Sequence, residues 1–72
     1  MFWSDYCLAI EGPGSGYECK LPFVDKGITH DKCAPVYPTN KFWCPTKLGP
    51  NNEAKVESWG FCAHKCSIET HP

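Results

Sequence analysis

The sequence has no arginine, no run of like charge and no long apolar segment. Seven lysines stand against eight acidic residues, so the formal net charge is −1. A nucleic-acid footprint or a polybasic membrane patch requires clustered cations, and this balance therefore argues against both kinds of partner. No apolar stretch reaches the roughly 18 to 20 residues of a membrane-spanning helix, so we expect no transmembrane segment.

Aliphatic residues are also scarce. Leu, Ile, Val and Phe together supply 13 of the 72 residues, whereas the chain has six cysteines and ten aromatic residues. A chain this short buries too little apolar surface to be stable without covalent help, and an even number of cysteines supplies that help in an oxidising compartment. We therefore expect a small, disulfide-rich, secreted monomer whose signal peptide has been removed.

Turn-forming residues punctuate the whole chain. Seven prolines and six glycines leave only short extended pieces, which favours small two-stranded antiparallel ribbons joined by loops. The one helix candidate, residues 52–58, spans at most two turns, so a loop with a helical turn is expected there. Residues 1–18 form an N-terminal arm tethered by Cys7, in which Phe2, Trp3 and Tyr6 are expected to pack back on the remainder. Residues 67–72 form a tail.

The sequence gives little support for catalysis. An even cysteine set in a secreted chain leaves no free thiolate, and neither the serines nor the carboxylates fall in a recognisable catalytic motif. We therefore expect no enzymatic activity, no catalytic residues and no cofactor. A zinc site is a stronger alternative than catalysis, because Cys62, His64 and Cys66 are spaced two residues apart and His30 lies three residues before Cys33. Paired CxxC elements are missing, so no metal site is predicted.

The cysteines allow fifteen pairings, of which only Cys62 with Cys66 is easily discounted. The residues around four of them occur in a specific order: Cys19-Lys20-Leu21-Pro22-Phe23, then Cys33, then Phe42-Trp43-Cys44, then Trp59-Gly60-Phe61-Cys62. In this order of motifs the chain resembles a fibronectin type II module, which has a kringle-like disulfide-rich fold. The resemblance covers residues 19–62, and we place the whole module at 19–66.

The resemblance implies a disulfide pattern. Family members join the first cysteine to the third and the second to the fourth, which here gives Cys19–Cys44 and Cys33–Cys62. Cys7 and Cys66 then remain as a third pair, outside the family pattern, that joins the two ends of the chain.

The resemblance also implies a binding function. Family members bind collagen or gelatin, or the choline head group of phospholipids, through a shallow aromatic patch. Trp43 and Trp59 match that patch, and Phe23 and Phe61 match buried aromatics of the family. Phe23 is also counted among the expected binding residues. Asp25 stands where the family has an aromatic or large apolar residue, and it offers a carboxylate to an ammonium group. The loop 45–58 lacks the aromatic that the family has there, and Tyr37 is the candidate replacement.

A function of a different class stays open. A bond between Cys7 and Cys66 would suit a free-standing secreted effector, such as a toxin, defence peptide or inhibitor, that binds a protein target. The loop 45–58, which carries two lysines and two glutamates, is the expected binding surface in that case, because loops on a rigid scaffold carry variable function.

Overall fold

Six short strands and one 3-10 turn make up the regular structure. The computed structural model of the chain describes residues 7–36, 39–55, 57–64, 66, 68 and 69. In chain order the elements are β1 Ala9–Glu11, β2 Phe23–Asp25, β3 Ile28–His30, β4 Ala34–Val36, β5 Lys41–Pro45, the 3-10 turn Pro50–Asn52 and β6 Trp59–Cys62. The predicted fold class, a small disulfide-rich fold of short antiparallel strands and loops, is confirmed.

The strands form two sheets. β2 and β3 pair as the expected two-stranded ribbon, whose connecting residues Lys26 and Gly27 have φ values of 52° and 82°. Positive φ at both central residues is the geometry that twists a two-residue hairpin correctly. The other four strands join in the order β1-β6-β5-β4, with antiparallel pairing throughout. The expected ribbon β2–β3 is therefore accompanied by a wider, four-stranded sheet, which has a broader surface.

Three disulfides hold these strands together, and all three predicted pairs are confirmed: Cys7–Cys66, Cys19–Cys44 and Cys33–Cys62. Cys33 and Cys44 are fully buried, and the buried core consists mainly of the cysteines themselves. Cystine sulfur therefore occupies the interior that aliphatic side chains fill in a larger domain.

β1 lies unusually close to β6. An added Cβ on Gly60 would lie 2.6 Å from the Ala9 Cβ and 2.6 Å from the Glu11 carbonyl oxygen. Only glycine permits this approach, so Gly60 fixes the position of the edge strand.

Other segments of the chain lie along the β1 edge of the four-stranded sheet and beside the residue that precedes β4. On the β1 side, the Ala9 N–H donates to the Tyr17 carbonyl at 3.0 Å and the Gly16 N–H donates to the Ala9 carbonyl at 2.7 Å. On the β4 side, the Glu69 N–H donates to the Cys33 carbonyl at 2.9 Å, and Pro35 within the strand has no N–H to offer.

Strand β1 belongs to the segment predicted as an N-terminal arm, and it pairs with β6 of the predicted module. The division into residues 1–18, 19–66 and 67–72 stays a prediction, and Phe2, Trp3 and Tyr6 lie outside the described residues. Over the part of the chain that the structure describes, no helix is long and apolar enough to cross a membrane.

Candidate functional site: an aromatic groove

The candidate site is an open groove of about 330 Å³ between the four-stranded sheet and the β2–β3 ribbon. Its lining combines aromatic rings, small apolar side chains and one charge of each sign. The lining residues, which together we call the aromatic groove, are Asp25, Val36, Trp43, Ala54, Lys55, Trp59 and Phe61.

Strand register builds the sheet wall of the groove. Trp43 of β5 lies directly opposite Phe61 of β6, and Pro45 lies opposite Trp59. Because side chains two residues apart share a face, these aromatic side chains project on the same side of the sheet. Trp59 and Phe61 meet edge to face, with ring centroids 5.2 Å apart and planes at 85°. The intervening and adjoining cysteines, Cys44 and Cys62, belong to the opposite face.

The other wall comes from β2 and the segment beside it. Phe23 is fully buried, and its ring centroid lies 5.0 Å from that of Trp43. Alternation along β2 directs Asp25 to the same side as Phe23, so this carboxylate borders the tryptophans. The Ala54 N–H donates to the Val24 carbonyl at 2.9 Å, which aligns Ala54 and Lys55 along β2.

Phe23 also packs against His30 of the neighbouring strand β3. The His30 ring stacks on Phe23 at 5.0 Å with an interplanar angle of 27°. The His30 Nδ1 lies 2.5 Å from Glu69 Oε2, a half-buried pair that ties β3 to the segment after Cys66. Trp43 of the groove wall therefore packs against Phe23, which in turn stacks on His30.

The predicted site residues fall in three places. Trp43, Trp59 and Asp25 line the groove together. Phe23 lies beneath it without exposed surface, in agreement with its match to a buried family aromatic, and Tyr37 lies outside the described residues. Phe61, which was predicted to be buried, is half-buried and lines the groove, and the alternation that relates it to Trp59 would have predicted this position.

Val36 carries no local sequence signal for a site, whereas Ala54 and Lys55 belong to the loop 45–58 that was expected to bind a protein target in the effector alternative. All three reach the groove through long-range pairings: β4 with β5 in the first case, and the bridge from Val24 to Glu53 in the other two. Lys55 belongs to the loop 45–58, so this loop contributes a cation to the site where the family would contribute an aromatic ring.

The two charged side chains of the groove have no partners among the described residues. The contacts between acidic and basic side chains there are the ion pairs Lys20–Glu18 at 3.9 Å and Lys41–Glu11 at 3.2 Å and the hydrogen-bonded pair His30–Glu69 at 2.5 Å. None includes Asp25 or Lys55. Both charges are therefore available to a ligand.

A second groove, also of about 330 Å³, adjoins the sheet and shares Phe61 with the aromatic groove; Ile10, Phe42 and Ile68 border it together with the Lys41–Glu11 pair. Its carboxylate and ammonium groups already neutralise each other, and no tryptophan lines it. The aromatic groove is the stronger candidate for ligand recognition.

The zinc alternative loses its thiolate ligands. Cys62 is bonded to Cys33 and Cys66 to Cys7, so neither sulfur is free to coordinate a metal next to His64. The other two cysteines, Cys19 and Cys44, are bonded to each other.

No protein-family model, curated protein or solved structure matches the chain. The similarity to fibronectin type II modules therefore rests on the residues quoted above and stays a prediction.

Proposed function

We propose that this chain is a secreted, non-catalytic binding module of the fibronectin type II kind, which recognises a proline-rich segment of an extracellular protein through the aromatic groove. The observation that carries the proposal is the convergence of Trp43, Trp59 and Phe61 on one open groove. Three disulfides in so small a chain are compatible with an extracellular location.

The groove chemistry suits a collagen-like or gelatin-like peptide. Proline-rich segments adopt the extended polyproline II conformation, and domains that bind them present aromatic-lined grooves on which the pyrrolidine rings pack. The carbonyl groups of such a peptide have no internal hydrogen bonds, so they need donors from the protein. The Lys55 ammonium provides such a donor in this groove.

A choline head group is a second candidate, and Asp25 favours it. A quaternary ammonium gains roughly 0.5 to 2 kcal/mol from contact with an aromatic face. A carboxylate beside the two tryptophans adds a charge of the matching sign.

Isothermal titration of the purified chain with gelatin and, separately, with phosphorylcholine tests both candidates. We expect Trp59→Leu to weaken gelatin binding about tenfold or more, since buried tryptophans dominate binding energy at such surfaces. Tyr17→Leu is the matched control, because Tyr17 is 66 % exposed and lies outside the groove. If the unaltered chain binds neither gelatin nor phosphorylcholine, the proposed function is refuted.

A further inference from the structure

Asp25 is an unusual component of an apolar groove. It is half-buried, it faces the tryptophan wall, and none of the ion pairs among the described residues neutralises it. A carboxylate held beside apolar surface is less well solvated than one in open water, so it interacts more strongly with a cation that enters the groove.

The other charge of the groove does not neutralise this carboxylate. Lys55 is exposed and lines the same groove, but it forms no ion pair with Asp25. The groove therefore presents a carboxylate and an ammonium as separate contact points, with aromatic rings in the lining. A ligand that satisfies both must offer a cation and a hydrogen-bond acceptor.

We infer that Asp25 makes the aromatic groove selective for proline-rich segments that carry a lysine or arginine side chain. This inference rests on the proposed function, and it names the class of peptide that the groove takes. The prolines pack on the rings, the basic side chain meets Asp25 next to the indole faces, and peptide carbonyls accept hydrogen bonds from Lys55. Cation–π attraction to a tryptophan adds to the carboxylate contact.

Three blocked nonapeptides test the inference. Each has four prolines on either side of a central residue, which is lysine, norleucine or glutamate. We expect the lysine peptide to bind about tenfold more tightly than the norleucine peptide at low ionic strength, and the glutamate peptide to bind more weakly than both. Added salt screens an accessible charge pair, so the preference for lysine should shrink at about 1 M salt.

Variants separate charge selectivity from binding. Asp25→Asn keeps the side-chain shape and should bring the lysine and norleucine peptides to nearly equal affinity. Asp25→Lys should favour the glutamate peptide. Asp31→Asn removes an exposed carboxylate outside the groove and should preserve the preference for lysine.

The outcomes distinguish the two proposals. Equal binding of the lysine and norleucine peptides to the unaltered chain would overturn the charge selectivity and leave the peptide-binding function standing. A lysine preference that survives Asp25→Asn would also overturn it, because another group would then select the cation. If none of the peptides binds while phosphorylcholine does, both this inference and the peptide-binding function are wrong.

Discussion

Removal of the Cys7–Cys66 disulfide gives the sharpest test of how the fold is stabilised. The bond links residues 59 positions apart, whereas Cys19–Cys44 links residues 25 positions apart. In the chain-entropy model these loops correspond to about 4 and about 3.5 kcal/mol of stabilisation at 25 °C. The double variant Cys7→Ala/Cys66→Ala should therefore lose about 4 kcal/mol, which corresponds to a fall in Tm of about 15 to 30 °C for a domain of this size.

Thermal and urea unfolding, followed by tryptophan fluorescence, measure the loss, and mass spectrometry of the variant verifies that two disulfides remain. The groove should persist below the new Tm, because its residues come from β2, β4, β5, β6 and the segment 54–55. The double variant Cys19→Ala/Cys44→Ala is the comparison, with a predicted loss that is no larger. A Tm within about 3 °C of the original for the first variant would refute the loop-closure reasoning.

Other substitutions probe packing at single positions. Gly60→Ala should destabilise the fold by at least about 1 to 3 kcal/mol in urea unfolding, since the added methyl meets backbone atoms of β1, whereas Gly49→Ala, with no atom nearer than 3.7 Å, should be almost neutral. Phe23→Ala should cost about 3 to 5 kcal/mol and shift tryptophan emission to the red, while Ile28→Ala, on a side chain that is 60 % exposed, should change neither measurement appreciably. Lys41→Met should alter stability by less than about 1 kcal/mol, because its ion pair is exposed; a larger loss would contradict that view.

The covalent framework was the most predictable part of this molecule. Composition indicated a disulfide-rich fold, and the motif order around Cys19, Cys33, Cys44 and Cys62 implied the pairing that the structure contains. Cysteine spacing alone left the pairing open, so the correct choice depended on the flanking aromatic residues.

The wide sheet was not predictable from local patterns. β1 and β6 are separated by nearly fifty residues, and a period-two pattern over three residues does not reveal its partner. The candidate helix at 52–58 illustrates the same limit: the 3-10 turn ends at Asn52, and Glu53 and Ala54 instead form bridges to Val24 and Leu48. Tertiary pairing outweighed a weak local helix preference.

Only part of the aromatic groove was predictable, because some of its residues reach it through long-range pairing. Trp43, Trp59 and Asp25 were recognisable from their place in the motif series, and they converge in the structure. Ala54 and Lys55 were expected only as part of the loop 45–58 in the effector alternative, and their place beside the tryptophans was not predictable, because they enter the groove through the position of their segment beside β2. The position of a loop residue depends on the long-range contacts of its segment, and a single sequence does not reveal those contacts.

The covered edges of the four-stranded sheet bear on how this chain behaves at high concentration. An unpaired strand edge is a template for pairing with a second chain, and prolines or covering segments block such growth. Here residues 16–17 occupy the free side of β1, while Pro35 and the contact of Glu69 with Cys33 protect β4. These contacts limit pairing with a second chain at the sheet edges, and we expect a chain in which residues 12–17 are shortened to associate more readily at high concentration.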